Sequence, residues 1–103
     1  MPNIEKRAHP RVPLVAKVDV ESKGYGFLAV GQDISSGGMR IASANPLPVG
    51  TSLKLTLVLP GSERKIRVRA VVRHVVEGSA MGVQFENLAP DDAAALREFT
   101  QNQ

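Results

Sequence analysis

The sequence of 103 residues contains no cysteine and no tryptophan, and aromatic residues make up only 4% of it. The lack of cysteine excludes disulfide bonds and thiolate metal sites, and it is compatible with a reducing compartment. Because aromatic residues are scarce, a core has to be formed by valine, leucine, isoleucine and alanine. The chain is long enough for one domain and too short for two.

Long apolar segments are also lacking. No run approaches the roughly 20 residues that span a bilayer, and the first ten residues, MPNIEKRAHP, contain no apolar stretch typical of a signal peptide. We therefore expect a cytoplasmic protein without a membrane segment. The formal net charge of +3 favours anionic partners but does not identify one.

What the sequence does contain is a repeated alternation of apolar and polar residues, which predicts half-buried strands. Six segments show it, separated by turn signals such as Ser22-Lys23-Gly24: residues 12–20, 27–34, 39–41, 53–59, 65–74 and 81–85. Asp91 and Asp92 ahead of an alanine run predict the capped start of a helix over about residues 90–101. The pattern predicts an all-β domain, a small antiparallel barrel with one C-terminal helix.

The same alternation assigns side chains to faces. Leu28 and Val30 fall in phase with Ile34 and are expected in the core. His74 is in phase with the apolar side of the fifth strand, which indicates a partly buried structural histidine. Asp33 is expected on the outer side, opposite Ile34.

Motifs for catalysis are not found. The sequence has no G-x-S-x-G, no P-loop and no G-x-G-x-x-G. His9 and His74 have no third ligand that would indicate a zinc site, and Asp91-Asp92 is explained by the helix start. We therefore predict no catalytic residue, no metal and no cofactor, and a protein that is not an enzyme.

The N-terminal arm holds a cluster of cations in the stretch KRAHPR. Arg7 and Arg11 have planar guanidinium groups that can bind a phosphate with two hydrogen bonds or contact the O6/N7 edge of guanine. Lys6 adds a third positive charge. A solvated leader is the alternative interpretation of this stretch on its own.

The stretch DISSGG, residues 33–38, supplies complementary groups. Ionised Asp33 can accept hydrogen bonds from the N1–H and N2 amino groups of guanine. Ser35, two residues on, is expected on the same outer side and can donate or accept. Gly37 and Gly38 would let the backbone approach a ligand closely or adopt a positive φ. Together with the arm, this set suits a small ligand with phosphates and guanines.

These two segments resemble the motifs of the PilZ domain, the bacterial receptor module for cyclic di-GMP. The family's R-x-x-x-R is similar to Arg7–Arg11, and its D/N-x-S-x-x-G is similar to Asp33–Gly38. The stretches NPLPVGTSLKLTLVLP and MGVQFENLAPDD are similar to the family's middle strands and to its last strand before the helix. The resemblance covers nearly the whole chain.

The resemblance implies a six-stranded antiparallel barrel over residues 12–103. It also implies a flexible arm, residues 1–11, that folds over cyclic di-GMP on the outer barrel surface. The ligand-binding residues it implies are Lys6, Arg7, Arg11, Asp33, Ser35 and Gly38, with Ser36, Gly37 and Arg73 as further candidates. Signal output would pass to an unidentified effector protein through rearrangement of the arm and surface.

Two alternatives and one question of stoichiometry stay open at this stage. The chain could be a protein-interaction module that does not use the nucleotide, or a nucleic-acid-binding barrel, although few aromatic residues are present for base stacking. Lys6 stands where the family often has arginine, at a position linked to binding one ligand or a stacked pair. Arg73 lies on a strand with Arg67 and Arg69, where a solvated face is the alternative to a ligand contact.

Overall fold

The structure, a computed structural model, describes residues 11–101. Six strands are followed by one helix: β1 (Val12–Ser22), β2 (Tyr25–Ile34), β3 (Gly38–Ala42), β4 (Ser52–Val58), β5 (Lys65–Val76), β6 (Ala80–Glu86) and α1 (Pro90–Gln101). The prediction of an all-β domain with one C-terminal helix is confirmed. The predicted arm lies outside the described residues except for Arg11.

The strands close into an antiparallel barrel in the order β1-β2-β3-β6-β5-β4, with β1 also paired to β4. This confirms the six-stranded antiparallel barrel. One face of each strand points into a core of aliphatic side chains, two methionines and Phe85. Its largest fully buried members include Ile34, Met39, Ile41, Leu55, Leu57, Ile66 and Met81.

The prediction that Leu28 and Val30 are core residues is wrong. Their side chains are exposed, at 68% and 44%, while Ile34 on the same strand is fully buried. The cause is an irregularity in the pairing of β2 with β3 between Gly31 and Asp33. A bulge inserts one extra residue and so reverses the phase of the strand. Phe27 and Ala29, next to the exposed pair, pack against the core instead.

A second bulge explains why the prediction for His74 is also wrong. The register of β5 with β6 shifts between Val72 and His74. Val72 is fully buried, but His74 is exposed because the shift moves it out of phase with the apolar face.

The helix α1 covers the barrel through Leu96, which is fully buried and belongs to the core cluster, and through the partly buried Phe99. The helix begins at Pro90, so Asp91 and Asp92 lie in its first turn rather than ahead of it. Carboxylates there interact favourably with the helix dipole. Asp92 Oδ1 also accepts hydrogen bonds from Nε and Nη2 of Arg64, at 3.1 and 2.8 Å, which ties the helix to the β4–β5 connection.

Candidate ligand-binding site

The start of β1 and the end of β2 bring two predicted site residues together. Pro13 pairs with Asp33 and Val12 with Ile34, so Arg11 arrives beside the Asp33 carboxylate. Arg11 Nη1 donates to Asp33 Oδ1 in an ion pair whose side chains keep 34% and 28% of their surface exposed. Exposed ion pairs contribute only about 0–1 kcal/mol to stability. Both groups are therefore able to exchange this contact for a ligand.

The bulge in β2 shapes this part of the surface. It places the consecutive residues Gln32 and Asp33 on the outer side, with Gly31 and Ile34 buried on either side of them. A Cβ at residue 31 would lie 2.6 Å from Met39 Cε, the end of a flexible side chain that would have to move. The extra residue therefore presents two polar side chains in a row, where a regular strand would present one.

Ser35 does not point outward as predicted. The residue is 4% exposed, and its hydroxyl oxygen accepts hydrogen bonds from the backbone N–H groups of Gly37 and Gly38, at 3.1 and 3.2 Å. The backbone N–H of Ser35 donates to the Gly38 carbonyl oxygen at 2.8 Å. β2 ends at Ile34, so the two-residue periodicity that predicted an outward direction no longer applies. Ser35 holds the turn between β2 and β3.

Gly38 is also fixed by packing within the barrel. Its φ is not positive, and a Cβ there would lie 2.1 Å from the backbone oxygen of Val83 on β6. The glycine therefore allows β3 and β6 to approach each other. The reasons predicted from the sequence for this glycine were instead close approach to a ligand or a positive φ. Gly37 contributes through its backbone, since its carbonyl oxygen accepts from the N–H of Phe85 at 2.9 Å. Ser36, within the same turn, is partly buried.

Arg40 is a candidate that the sequence interpretation missed. It pairs directly with Asp33 across β2 and β3, and its Nε donates to Gln32 Oε1 at 3.0 Å. The partner is a neutral amide, so the contact orients the guanidinium without cancelling its charge. A signal was available, because Arg40 alternates with the apolar Met39 and Ile41 and so had to point outward.

Arg73 lies two strands further round the barrel. Its Nε donates to Gln84 Oε1 at 2.8 Å, and Gln84 on β6 pairs with Gly38 on β3. The side chain therefore reaches toward the turn that Ser35 holds. Arg67 and Arg69 do not share this position, since they pair with Thr56 and Lys54 on β4.

The structure thus groups Arg11, Asp33 and Arg40 on one outer surface, with the Ser35–Gly38 turn beneath and Arg73 beyond it. Lys6 and Arg7 lie outside the described residues. Within residues 11–101 no group of His, Asp or Glu side chains could hold a metal ion, and no helix is long and apolar enough to cross a membrane. Each buried side-chain nitrogen or oxygen in that range has a hydrogen-bond partner.

Comparison with known proteins gives one family and several structural relatives. The PilZ domain model matches residues 5–102. The inhibitor of motility from Bacillus subtilis, MotI/DgrA, has a TM-score of 0.88 and 27% identity, and the match covers 99% of this chain and 53% of that one. This chain therefore spans about half of MotI. No curated protein sequence matches it.

Two further solved structures share the fold at lower identity. The PilZ domain of YcgR from Escherichia coli, solved with c-di-GMP, has a TM-score of 0.75 and 17% identity, and the match covers 95% of this chain and 91% of that one. The K. pneumonia MrkH–c-di-GMP complex has a TM-score of 0.77 and 22% identity, with 96% of this chain and 52% of that one covered.

Proposed function

This chain belongs to the PilZ domain family, and we propose that it is a receptor for cyclic di-GMP. PilZ domains are receptor or adaptor modules and not enzymes, so this domain is non-catalytic. The observation that carries the proposal is the exposed Arg11–Asp33 pair beside Arg40 on the outer barrel surface. Arg11 and Asp33 belong to the two segments that resemble the family's ligand motifs. The solved c-di-GMP complexes of YcgR and MrkH, which share this fold, support the choice of cyclic di-GMP as the ligand.

Binding begins with an exchange of partners. Without ligand, Asp33 accepts from Arg11. In the complex, the Asp33 carboxylate accepts from the N1–H and N2 amino groups of a guanine, and Arg11 turns to a phosphate or to the guanine O6/N7 edge. Hydrogen bonds to charged groups contribute about 1.5–3 kcal/mol each. The exchange is therefore favourable, since the ion pair that is lost is exposed and weak.

The turn after β2 has a supporting role in this proposal. The hydroxyl of Ser35 already accepts two backbone N–H groups, so it acts mainly by fixing the backbone of residues 36–38 next to Asp33. Gly38 keeps that turn close to β6. Ser35, Ser36, Gly37 and Gly38 then form the floor on which the ligand rests.

Two further cations lie on the same surface. Arg40 and Arg73 are each oriented by a glutamine oxygen, and neither forms an ion pair within residues 11–101. Their charges are thus available to an anion. We place Arg40 beside the phosphate bound by Arg11, and Arg73 on the far side of the Ser35–Gly38 turn, where its planar group can stack on a base.

The arm supplies the signal. We propose that residues 1–11 form an arm on a barrel of residues 12–103, and that Lys6 and Arg7 close over the ligand. Cyclic di-GMP shifts the position of the arm by its difference in affinity for the two states. An effector protein then recognises the rearranged surface. The stoichiometry of binding, measured by calorimetry, will show whether a site with Lys6 binds one ligand or a stacked pair.

Calorimetric titration with cyclic di-GMP tests this proposal. We expect binding at micromolar ligand, and a loss of about 10- to 100-fold for Arg7→Ala and for Asp33→Ala, since each removes charge-assisted hydrogen bonds of about 1.5–3 kcal/mol. Arg67→Ala is the matched control, because Arg67 is exposed and pairs with β4 away from the site. No heat from the unaltered protein, or an equal loss with Arg67→Ala, would refute the proposal.

Amide exchange gives a second readout. Exchange of residues 1–10 should slow on addition of cyclic di-GMP, and Asp33→Ala should remove the effect at the same ligand concentration. Unchanged exchange of the arm at saturating ligand would argue against its closure, even if the nucleotide binds to the barrel.

A further inference from the structure

The outer surface of β1 and β2 carries a group of four residues with mixed chemistry. Lys17 and Asp19 on β1 pair with Val30 and Leu28 on β2, respectively. We call these four residues the β1–β2 outer face. Leu28 is 68% exposed and Val30 is 44% exposed, although a barrel strand in water normally presents polar side chains outward.

The apolar surface continues beyond these four residues. Val15 on β1 is 85% exposed and Val58 on β4 is 40% exposed. Both line a groove of about 550 Å³ that also includes Leu28 and runs to the Pro60-Gly61-Ser62 turn. Isolated exposed aliphatic residues need no explanation, but neighbouring ones on adjacent strands are typical of an interaction surface.

The charges on the β1–β2 outer face are unpaired within the described chain. Neither Lys17 nor Asp19 forms an ion pair with another residue of 11–101. They are two residues apart on one strand, which separates them by about 6.6 Å along it. A positive and a negative charge thus lie side by side, each next to an apolar residue of β2.

This arrangement is complementary to itself. If two copies pack these faces together with β1 antiparallel to β1, Lys17 lies over Asp19 of the second copy and Asp19 lies over its Lys17. Leu28 then lies over Val30 of the second copy, and Val30 lies over its Leu28. A two-fold axis across the strands produces all four contacts at once, as required of a symmetric dimer interface.

The charges also exclude the two-fold packing in which β1 lies directly over β1 of the second copy in the same direction. With β1 parallel to β1, Lys17 would lie over Lys17 and Asp19 over Asp19 of the second copy, and such like-charge contacts are strongly unfavourable. We therefore propose that this chain forms an antiparallel homodimer through the β1–β2 outer face. The proposal does not depend on cyclic di-GMP binding, and its test uses no nucleotide.

Sedimentation equilibrium of the full chain provides the first test, from about 1 µM to about 1 mM, a range that covers weak association. We expect a monomer–dimer equilibrium, and a loss of dimer in Leu28→Asp. Val49→Asp is the matched control, because Val49 is also exposed, at 62%, but lies outside the strands. A monomer at all concentrations, or equal loss with Val49→Asp, would overturn the proposal.

Charge reversal tests the predicted pairing directly. K17E and D19K each create two like-charge contacts, so each alone should weaken the dimer by about tenfold or more. A mixture of the two single variants should form a heterodimer, because each altered side chain then faces an opposite charge. The double variant K17E/D19K should recover the homodimer.

These variants remain informative even if one of them is less stable. A folded single variant, shown by an unchanged circular dichroism spectrum, that dimerises as well as the unaltered chain would overturn the proposal. So would a mixture in which both folded variants stay monomeric. Formation of a dimer in the mixture cannot be an effect of improved folding, because each variant has the same sequence in the mixture as it has alone.

Discussion

The barrel carries arginine on two outer faces that are built differently. On the face formed by β4 and β5, which we call the regular face, pairing runs without interruption from Ser52–Val71 to Val58–Lys65. On the face formed by β2 and β3, the bulged face, the register breaks between Gly31 and Asp33. The two faces show how this chain separates arginines whose charge is balanced on the barrel surface from arginines that are available to a ligand.

On the regular face, charges balance across neighbouring strands. Lys54 pairs with Arg69, an unfavourable contact of like charges, but Lys54 also pairs with Glu21 on β1, and Arg69 also pairs with Glu86 on β6. The row is negative, positive, positive and negative, which suits a solvated surface. On the bulged face, Arg40 pairs with Asp33, but the Asp33 carboxylate is engaged by Arg11 and the Arg40 Nε donates to the neutral Gln32, so two arginines share one carboxylate.

The largest effect on stability is expected from a substitution of Gly38, where the bulged face meets β6. In Gly38→Ala the Cβ would lie 2.1 Å from the Val83 backbone oxygen, so we expect a loss of about 3 kcal/mol or more in the free energy of unfolding. Chemical denaturation measures it. Gly26→Ala on β2 is the control, since its Cβ would lie 3.6 Å from the nearest atom. Equal stability of the two variants would contradict this account.

The next effect is expected at Ser35. Ser35→Ala leaves the N–H groups of Gly37 and Gly38 without their acceptor, and an unsatisfied buried donor costs about 1–3 kcal/mol. Thermal and urea unfolding report the loss. Ser62→Ala removes a comparable side-chain acceptor for the Arg64 N–H in an exposed turn and should cost less. If Ser35→Ala retained full stability but lost the ligand, the hydroxyl would be a direct ligand contact.

The smallest effect is expected on cyclic di-GMP binding when one arginine on each face is replaced. Arg40→Gln should weaken cyclic di-GMP binding by about tenfold, equivalent to about 1.4 kcal/mol, while Arg69→Gln should leave it unchanged. Both substitutions remove one positive charge from a barrel strand. Calorimetry on the two variants therefore separates the effect of the arginine's position from the effect of the net charge. Equal losses would mean that the net charge of the barrel, rather than the orientation of Arg40, governs binding.

Much of this fold could be predicted from the sequence because alternation and turn residues are local signals. They identified the six strands, the helix and the outward position of Asp33. Bulges carry no such signal, since the extra residue at Gln32 looks like one more member of the strand. Leu28, Val30 and His74 were therefore assigned to the wrong side.

The site was predictable to the extent that its residues are close in sequence or follow a strand. Asp33 was found in this way, and Arg40 could have been. The inward turn of Ser35 was not predictable, because it depends on where β2 ends and on two backbone N–H groups that only the folded turn brings to its hydroxyl. The contact of Arg73 with Gln84 likewise depends on the pairing of β5 with β6.

Closure of the barrel has a consequence for recognition by other proteins. Because β1 pairs with β4 as well as with β2, every one of the six described strands has a neighbour on both sides. No strand edge along the paired segments is free to accept an added strand, the route by which many modules bind extended peptides. Along these paired segments, which cover Val18–Glu21 of β1 against β4 and Val30–Ile34 of β2 against β3, a protein has to recognise the barrel through side chains. Substitutions of those side chains can therefore change partner choice without disturbing the backbone ladder.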